Sequence, residues 1–260
     1  MSTEFDHTMR SLLDPKSSQG GYTLPCGYLS PEGALYRKIE IREMTGAEED
    51  ILASKNTKAA DKMHMIMSRC VTRMEDESDP AKIAHMVESL PVGDRLFLLM
   101  AIRQVTLGDE YFFRAKCPND QCAKESVYGV LLSELEVKQS PDPMKRIFDT
   151  ILPKSQIPVR FRLLTGRDEA TIGTKAGSAD ALSLAMLIRI ELFNGKPPTL
   201  GDIKGIGLKD RQFMRSMFDG VDGGIDTETE MTCSHCGTEF KKDVDVAQSG
   251  FFFPQEISQS

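Results

Sequence analysis

Four of the six cysteines stand in two short pairs, a spacing that belongs to metal ligation sooner than to disulfides in a reducing compartment. Cys117 and Cys122 bracket Pro118-Asn119-Asp120-Gln121 as C-x4-C; Cys233 and Cys236 bracket Ser234-His235 and run into Gly237 as C-x2-C-G. In the second turn, backbone N–H groups aim at thiolate sulfur and glycine completes the bend. A tetrahedral zinc takes four ligands at Zn–S of about 2.3 Å, so neither pair fills a site alone. Together they make a four-cysteine site for one structural Zn2+ per chain, with no open position for catalysis. Two reduced pairs without metal are the weaker reading. A redox C-x-x-C is weaker still, because no βαβ setting surrounds either pair. His235 reads as an exposed knuckle residue ahead of a substitute ligand. Cys70 reads as a buried hydrophobe in an apolar helix, and Cys26, near a turn, as a thiol of no role.

Catalytic residue types occur without catalytic settings. The histidines are His7, His64, His85 and His235, and none sits in a nucleophile motif. No phosphate-binding glycine loop and no H-E-x-x-H is present. The loop of Asp219, Asp222, Gly223 and Asp226 lacks calcium-loop spacing and reads as a solvated turn. The run Arg73-Met74-Glu75-Asp76-Glu77-Ser78-Asp79 likewise reads as a solvated loop. The chain is expected not to be an enzyme.

The elements that must position the cysteines recur. A strand-like stretch, Ala34 to Ile41, leads to Thr45 and Glu48 at capping-box spacing. A second strand leads from Val159 to Thr165 and Asp168, with Arg42, Thr45 and Gly46 matching Arg162, Thr165 and Gly166 at an offset of 120. Arg69 falls on Arg189 in an apolar helix. After a four-residue shortening the offset is 116, bringing Asp94-Arg95 onto Asp210-Arg211 as caps of a further helix, Gly108 onto Gly224 and Cys117 onto Cys233. An ordered series with one indel points to internal duplication. The expected fold class is α+β: a duplicated strand–helix–zinc-knuckle module with pseudo-twofold symmetry, one cysteine pair from each copy clasping the metal on the axis. The expected organisation is an N-terminal arm (1–32), a first repeat (33–136), a linker (137–154), a second repeat (155–250) and an aromatic C-terminal tail (251–260).

Bulk properties bound the function. The 260 residues carry a net charge of −7, against the basic surface of a dedicated nucleic-acid binder. Lys116, Lys124, Lys241 and Lys242 lie near the knuckles, but Glu125, Glu239 and Asp243 interleave with them. No apolar run is long enough for a membrane span, and the N-terminus has no signal-peptide pattern. Apolar residues outside the repeats remain unexplained: Met9, Leu12 and Leu13 in the arm, and Phe251, Phe252 and Phe253 beside Pro254. Both ends are read as adhesive segments, with folding of the tail back onto the core as the alternative.

The order of these motifs resembles a known family. Leu24-Pro25, Gly33-Ala34-Leu35-Tyr36, Ile41-Arg42-Glu43-Met44-Thr45 and Glu48-Glu49 resemble the opening of the T4-type phage baseplate hub proteins. Gly93-Asp94-Arg95-Leu96-Phe97-Leu98-Leu99, Arg103, Gly108, Tyr111 and Cys117 continue the likeness, and Ser249-Gly250-Phe251-Phe252-Phe253-Pro254 closes it. The longer arm, Cys26 and the C-x4-C pair depart from that pattern. The resemblance implies a protein of the tail baseplate of a phage virion, assembled in the host cytoplasm. It would act through contacts with other baseplate and tail proteins, with no membrane and no nucleic acid. A tail-assembly chaperone that leaves before the virion is complete is the nearest alternative. A zinc-ribbon nucleic-acid-binding module is the alternative of a different class.

Overall fold

Residues 21–174, 178–246 and 249–252 are described by a computed structural model of the chain. The first half opens with an antiparallel sheet in the order β1 (Tyr22–Leu29), β2 (Leu35–Ile41), β3 (Val71–Met74). Pro25 has no N–H to give a ladder, and the β1–β2 register shifts between Thr23 and Tyr28. Between β2 and β3 run α1 (Gly46–Ala53) and α2 (Ala59–Cys70); after β3 come α3 (Pro80–Ser89), α4 (Val92–Leu107) and the hairpin β4 (Glu110–Lys116)–β5 (Glu125–Leu131). A short β6 (Val137–Lys138) leads to the second half, which repeats the order. The sheet β7 (Ile147–Ile151), β8 (Pro158–Arg162), β9 (Ile190–Phe193) encloses α5 (Gly166–Gly173) and α6 (Ala181–Arg189) in sequence. Then follow α7 (Leu200–Gly205), α8 (Leu208–Val221), β10 (Gly224–Ile225), which pairs with β6, the hairpin β11 (Glu228–Thr232)–β12 (Glu239–Asp243) and a last turn of helix, α9 (Ser249–Phe252). Helices and small antiparallel sheets thus mix as an α+β fold. Among the described residues no helix is long and apolar enough to cross a membrane.

The same local chemistry makes these elements in both halves. Thr45 and Thr165 start their helices with reciprocal capping boxes, closed by Glu48 and Asp168. Arg42 then grips Glu48 with both terminal nitrogens at 3.1 and 2.9 Å, and Arg162 grips Asp168 at 2.6 and 2.7 Å. After the third strand of each sheet, Glu75 and Asn194 take left-handed backbone (φ 49° and 52°) and donate to Lys38 and Pro158 carbonyls. Arg95 Nη1 donates to Val87 O, and Arg211 Nη1 to Ile203 O, both at 3.0 Å. The ten residues of α3 stand against six in α7, where the sequence shortens by four.

Several sequence expectations need correction. Residues 22–29, assigned to an arm, form β1, and residues 147–151, assigned to a linker, form β7. Residues 1–20, with Met9, Leu12 and Leu13, lie outside the described residues, as does 253–260. Phe251 and Phe252 are buried in the first core, so this part of the tail folds back onto the body. Phe251 packs edge-on to Tyr111 at 5.3 Å, and its carbonyl accepts from Arg103 Nε at 3.0 Å. The run 73–79 is built in: Glu75 accepts from Arg37 and Lys38 N–H, and Glu77 accepts from Ser78 and Asp79 N–H. Asp222 is likewise more than a solvated turn residue, because it pairs with Arg189 at 2.5 Å. Arg189 in turn lies 4.1 Å over the Phe218 ring.

Two hydrophobic cores result, the first built from the first half together with Ile225, Val244, Phe251 and Phe252, the second mainly from the second half. Cys26 of β1 belongs to the second core, so the first strand crosses the boundary. There Arg146 Nη2 donates to Gly27 O at 2.8 Å and Ser140 N to Pro25 O at 3.1 Å. At another part of the boundary Val92 N donates to Leu164 O and Gly166 N to Leu90 O. Arg95 pairs with Glu169 at 2.9 Å. A pseudo-twofold would repeat this contact with the halves exchanged, but Leu208, at the position matching Val92, is 83% exposed. The symmetry therefore fails for the bodies. Gly93 has a physical reason to be there: a Cβ would fall 1.7 Å from Gly223 O, whereas Lys209 at the matching position carries a side chain.

Candidate metal centre

Each cysteine pair sits at the tip of a two-stranded hairpin. Cys117 N donates to Lys124 O and Cys233 N to Thr238 O, both at 2.9 Å, closing the last rung beneath the turn. Within the turns, Cys122 N and Ala123 N donate to Asn119 O, and Gly237 N donates to Cys233 O. The residue after the second cysteine is left-handed in both: Ala123 at φ 46° and Gly237 at φ 73°. Glycine takes that conformation without cost; alanine bears a steric penalty. The two extra residues of C-x4-C are absorbed before this bend, so both turns end alike.

The hairpins bring together four thiols from positions 111 and 119 residues apart in the chain. Cys117 Sγ lies 3.6 Å from Cys236 Sγ, Cys122 Sγ lies 3.9 Å from Cys233 Sγ, and all four sulfurs fall within 4.8 Å of one another. Exchanging the two pairs turns the first of these distances into the second, and the two are nearly equal. The hairpins also meet through Asn119 Nδ2, which donates to Thr238 Oγ1 at 3.3 Å, and through the Tyr128 and Phe240 rings, edge-on at 5.7 Å.

The donor set fits a tetrahedral soft cation. Four sulfurs around zinc at about 2.3 Å stand about 3.8 Å apart, which matches the two close pairs. All four cysteines are free thiols. Cys117 and Cys233 are buried, Cys122 is half-buried and Cys236 is exposed. The Thr238 hydroxyl and N–H lower Cys236 to about 6, and the His235 N–H lowers Cys233. Burial pushes Cys117 up to about 12. Four thiolates within 4.8 Å repel one another, and a cation among them would offset that repulsion and hold them deprotonated.

His235 lies between two of these cysteines without joining the cluster. Cys26 and Cys70 are buried elsewhere. Burial raises Cys26 and raises Cys70 to about 11, and Cys26 Sγ accepts from Arg146 Nη1 at 2.8 Å. The reading of Cys70 as a buried hydrophobe fits its place in the first core, and Cys26 has a packing and hydrogen-bonding role that its sequence setting hid.

Sequence reasoning placed Asp94 and Asp210 at helix caps, but the caps are Pro91 and Gly207. Both aspartates stand in the first turn and reach out to other segments. Asp94 accepts from Cys26 N and Gly27 N at 2.7 Å each; Asp210 accepts from Lys154 N and Ser155 N at 2.9 and 3.0 Å. The repeated Asp-Arg pair was the visible signal; its targets lie in β1 and in the turn that follows β7.

Beside the hairpins, a groove of about 640 Å3 is lined by Glu110, Glu134, Glu136, Asp226, Glu228 and Glu230 together with apolar residues of β4 and β5. Lys241, one of the lysines near the knuckles, is already paired with Glu228 at 2.6 Å. A phosphate backbone would meet repulsion along this groove.

Residues 24–189 match the model of a family described as T4 bacteriophage base plate protein. That span runs from within β1 to the end of α6, includes the first cysteine pair and ends before the second. No curated protein and no solved structure matches the chain.

Proposed function

The chain belongs to the T4 bacteriophage base plate protein family, and we propose that within it this protein is a non-enzymatic structural or assembly component of the hub region. It acts through contacts with other baseplate and tail proteins, in the tail of the virion. Its body is two diverged copies of one module, and a structural zinc clasps their hairpins. The observation that carries this reading is the convergence of Cys117, Cys122, Cys233 and Cys236 within 4.8 Å of one another from positions 111 and 119 residues apart in the chain.

Cys117 and Cys122 from one hairpin and Cys233 and Cys236 from the other would hold the zinc. Bound there, zinc supplies a cross-link between the two hairpins and neutralises charge on four thiolates. The residues around it set the geometry: Asn119, Ala123, Thr238 and Gly237 shape the turns, and Tyr128 and Phe240 pack the hairpins behind them. The matched order of elements and the matched contacts of Asp94 and Asp210 support the duplication.

Protein analysis of purified phage particles tests the assignment. The expected result is this chain at a fixed stoichiometric copy number. Presence in infected cells but absence from particles would instead make it an assembly chaperone.

A further inference from the structure

We propose that the open edge of β5 receives an extended segment of another protein as an added antiparallel strand, and that this segment alternates apolar with basic residues. The proposal rests on the reading that the chain acts through contacts with other proteins; it adds the surface and the kind of segment that fits it. The hairpin β4–β5 is a two-stranded sheet, so among the described residues β5 has β4 as its one neighbour. The register runs one to one from Glu110↔Leu131 to Lys116↔Glu125. Its flanking rungs, Leu132 N to Asp109 O and Cys117 N to Lys124 O, fall on even-numbered residues of the β5 side. In an antiparallel ladder the residues between the rungs turn their N–H and C=O the other way. Val127, Gly129 and Leu131 therefore present their backbone groups to the open side.

This edge lacks the devices that keep strand edges from pairing. Charged side chains, lysine above all, and proline are the usual guards. The matching strand of the other hairpin, β12, carries Glu239, Lys241, Lys242 and Asp243 among its five residues. From Ser126 to Leu132, by contrast, no residue is charged and none is proline. Phe112, Val127 and Leu131 are exposed and lie on one face of the hairpin. A Cβ on Gly129 would fall 2.7 Å from the Phe112 ring, so the bare glycine lets that ring lie over the strand. An apolar face thus runs up to unpaired backbone.

The groove beside this edge names the occupant. It holds about 640 Å3, and six carboxylates line it with no basic residue among them. All six are exposed, and among the described residues Lys241 alone forms ion pairs with them, through Glu228 and Glu230. They are spread along the groove and do not converge on a point: among the described residues only the four cysteines gather as a metal-binding group. Spread negative charge beside an unpaired apolar edge suits a cationic chain, not an ion. In the added strand, residues directly opposite Val127, Gly129 and Leu131 lie on the Phe112 face, so these are the apolar ones. Lysine or arginine at the alternate positions supplies the opposite charge. Main-chain hydrogen bonds to β5 give the affinity, and the alternation gives the specificity.

Fluorescence anisotropy of the zinc-loaded full chain with a labelled peptide of alternating valine and lysine, long enough to span β5, tests this. The expected result is saturable binding that a peptide of alternating valine and glutamate does not show. Glu134→Lys with Glu136→Lys reverses two exposed charges on the groove wall. It is expected to weaken binding at least about tenfold, and far-ultraviolet circular dichroism checks that the variant folds. Methylating the valine nitrogens keeps charge and side chains but removes the N–H groups that face β5, and is expected to abolish binding. Methylating the lysine nitrogens, which point away from β5, is expected to be tolerated. No binding to the wild type overturns the proposal. Binding that valine methylation leaves unchanged also overturns it, because that is attraction to an acidic surface without an added strand. Copy number in purified particles keeps the two readings apart. A chain present in particles that fails with the peptide rejects the added strand and leaves the structural role standing; a chain that binds the peptide but is absent from particles does the reverse.

Discussion

Asp94 and Asp210 each hold two consecutive backbone N–H groups of a distant segment from the first turn of a helix, Asp94 at 2.7 Å from both Cys26 and Gly27. The pair stands at the same place in the two halves, yet burial pushes the Asp94 carboxyl up to about 6, while hydrogen bonds from Lys154 and Ser155 hold Asp210 below the usual range against the opposing effect of burial. Both aspartates are buried, but Cys26 and Gly27 are buried whereas Lys154 and Ser155 lie on the surface. Replacing Asp94 with Ala leaves two buried N–H groups without partners, a loss of about 2–4 kcal/mol. Asp210→Ala is expected to cost less, because water can reach Lys154 and Ser155. Urea unfolding of the two variants measures this, and equal losses would contradict it.

Phe251 belongs to the core. Its ring is fully buried against Tyr111, and its carbonyl satisfies the buried Arg103. Phe251→Ala is expected to destabilise the fold by about 3–5 kcal/mol. An unchanged denaturation midpoint would return this residue to the role of an exposed adhesive.

Ala123 carries the strain that Gly237 avoids at the matching bend. Ala123→Gly should relieve about 1 kcal/mol of left-handed strain and give back part of it as unfolded-state entropy. A gain of about 0.5 kcal/mol in the melting of the metal-loaded chain is the expected outcome. A clear loss would show that the alanine methyl packs against something the bend needs.

Glu48 is held down to about 2 by the Arg42 guanidinium and by the Thr45 cap, against the effect of burial. A carboxylate lowered in the folded state contributes stability above its unfolded value, and that stability is lost as pH falls toward the folded one. Between pH about 4.5 and 2, therefore, the wild type should lose about 2–3 kcal/mol that Glu48→Gln has already lost at neutral pH. Parallel stability curves for the two proteins through this window would exclude the pair as the source.

What could be read from the sequence was what local chemistry writes locally. Thr45 with Glu48, Thr165 with Asp168 and the cysteine spacings are short-range patterns, and each lies where the pattern put it. What escaped was written across distance. Strand β1 contains Pro25 and Gly27, which read as breakers, and it is held as a strand by Arg37 donating to the Leu24 carbonyl at 2.9 Å and by Asp94. Strand β7 was hidden between the prolines of an apparent linker and is fixed by its full register with β8. The Phe251 signal was real, but an apolar terminal cluster looks the same whether its pocket lies in a partner or in its own chain. The one-sided contact between the halves depends on Gly93 against Lys209, a difference that an alignment of similarities passes over.

The clasp is the centre of this account, and X-ray absorption at the zinc edge with elemental analysis tests it most directly. The predicted result is one zinc per wild-type chain with four sulfur neighbours at about 2.3 Å, and loss of the metal in Cys117→Ser and in Cys233→Ser. A stable wild-type chain purified without zinc, or a first shell containing nitrogen or oxygen, would contradict it.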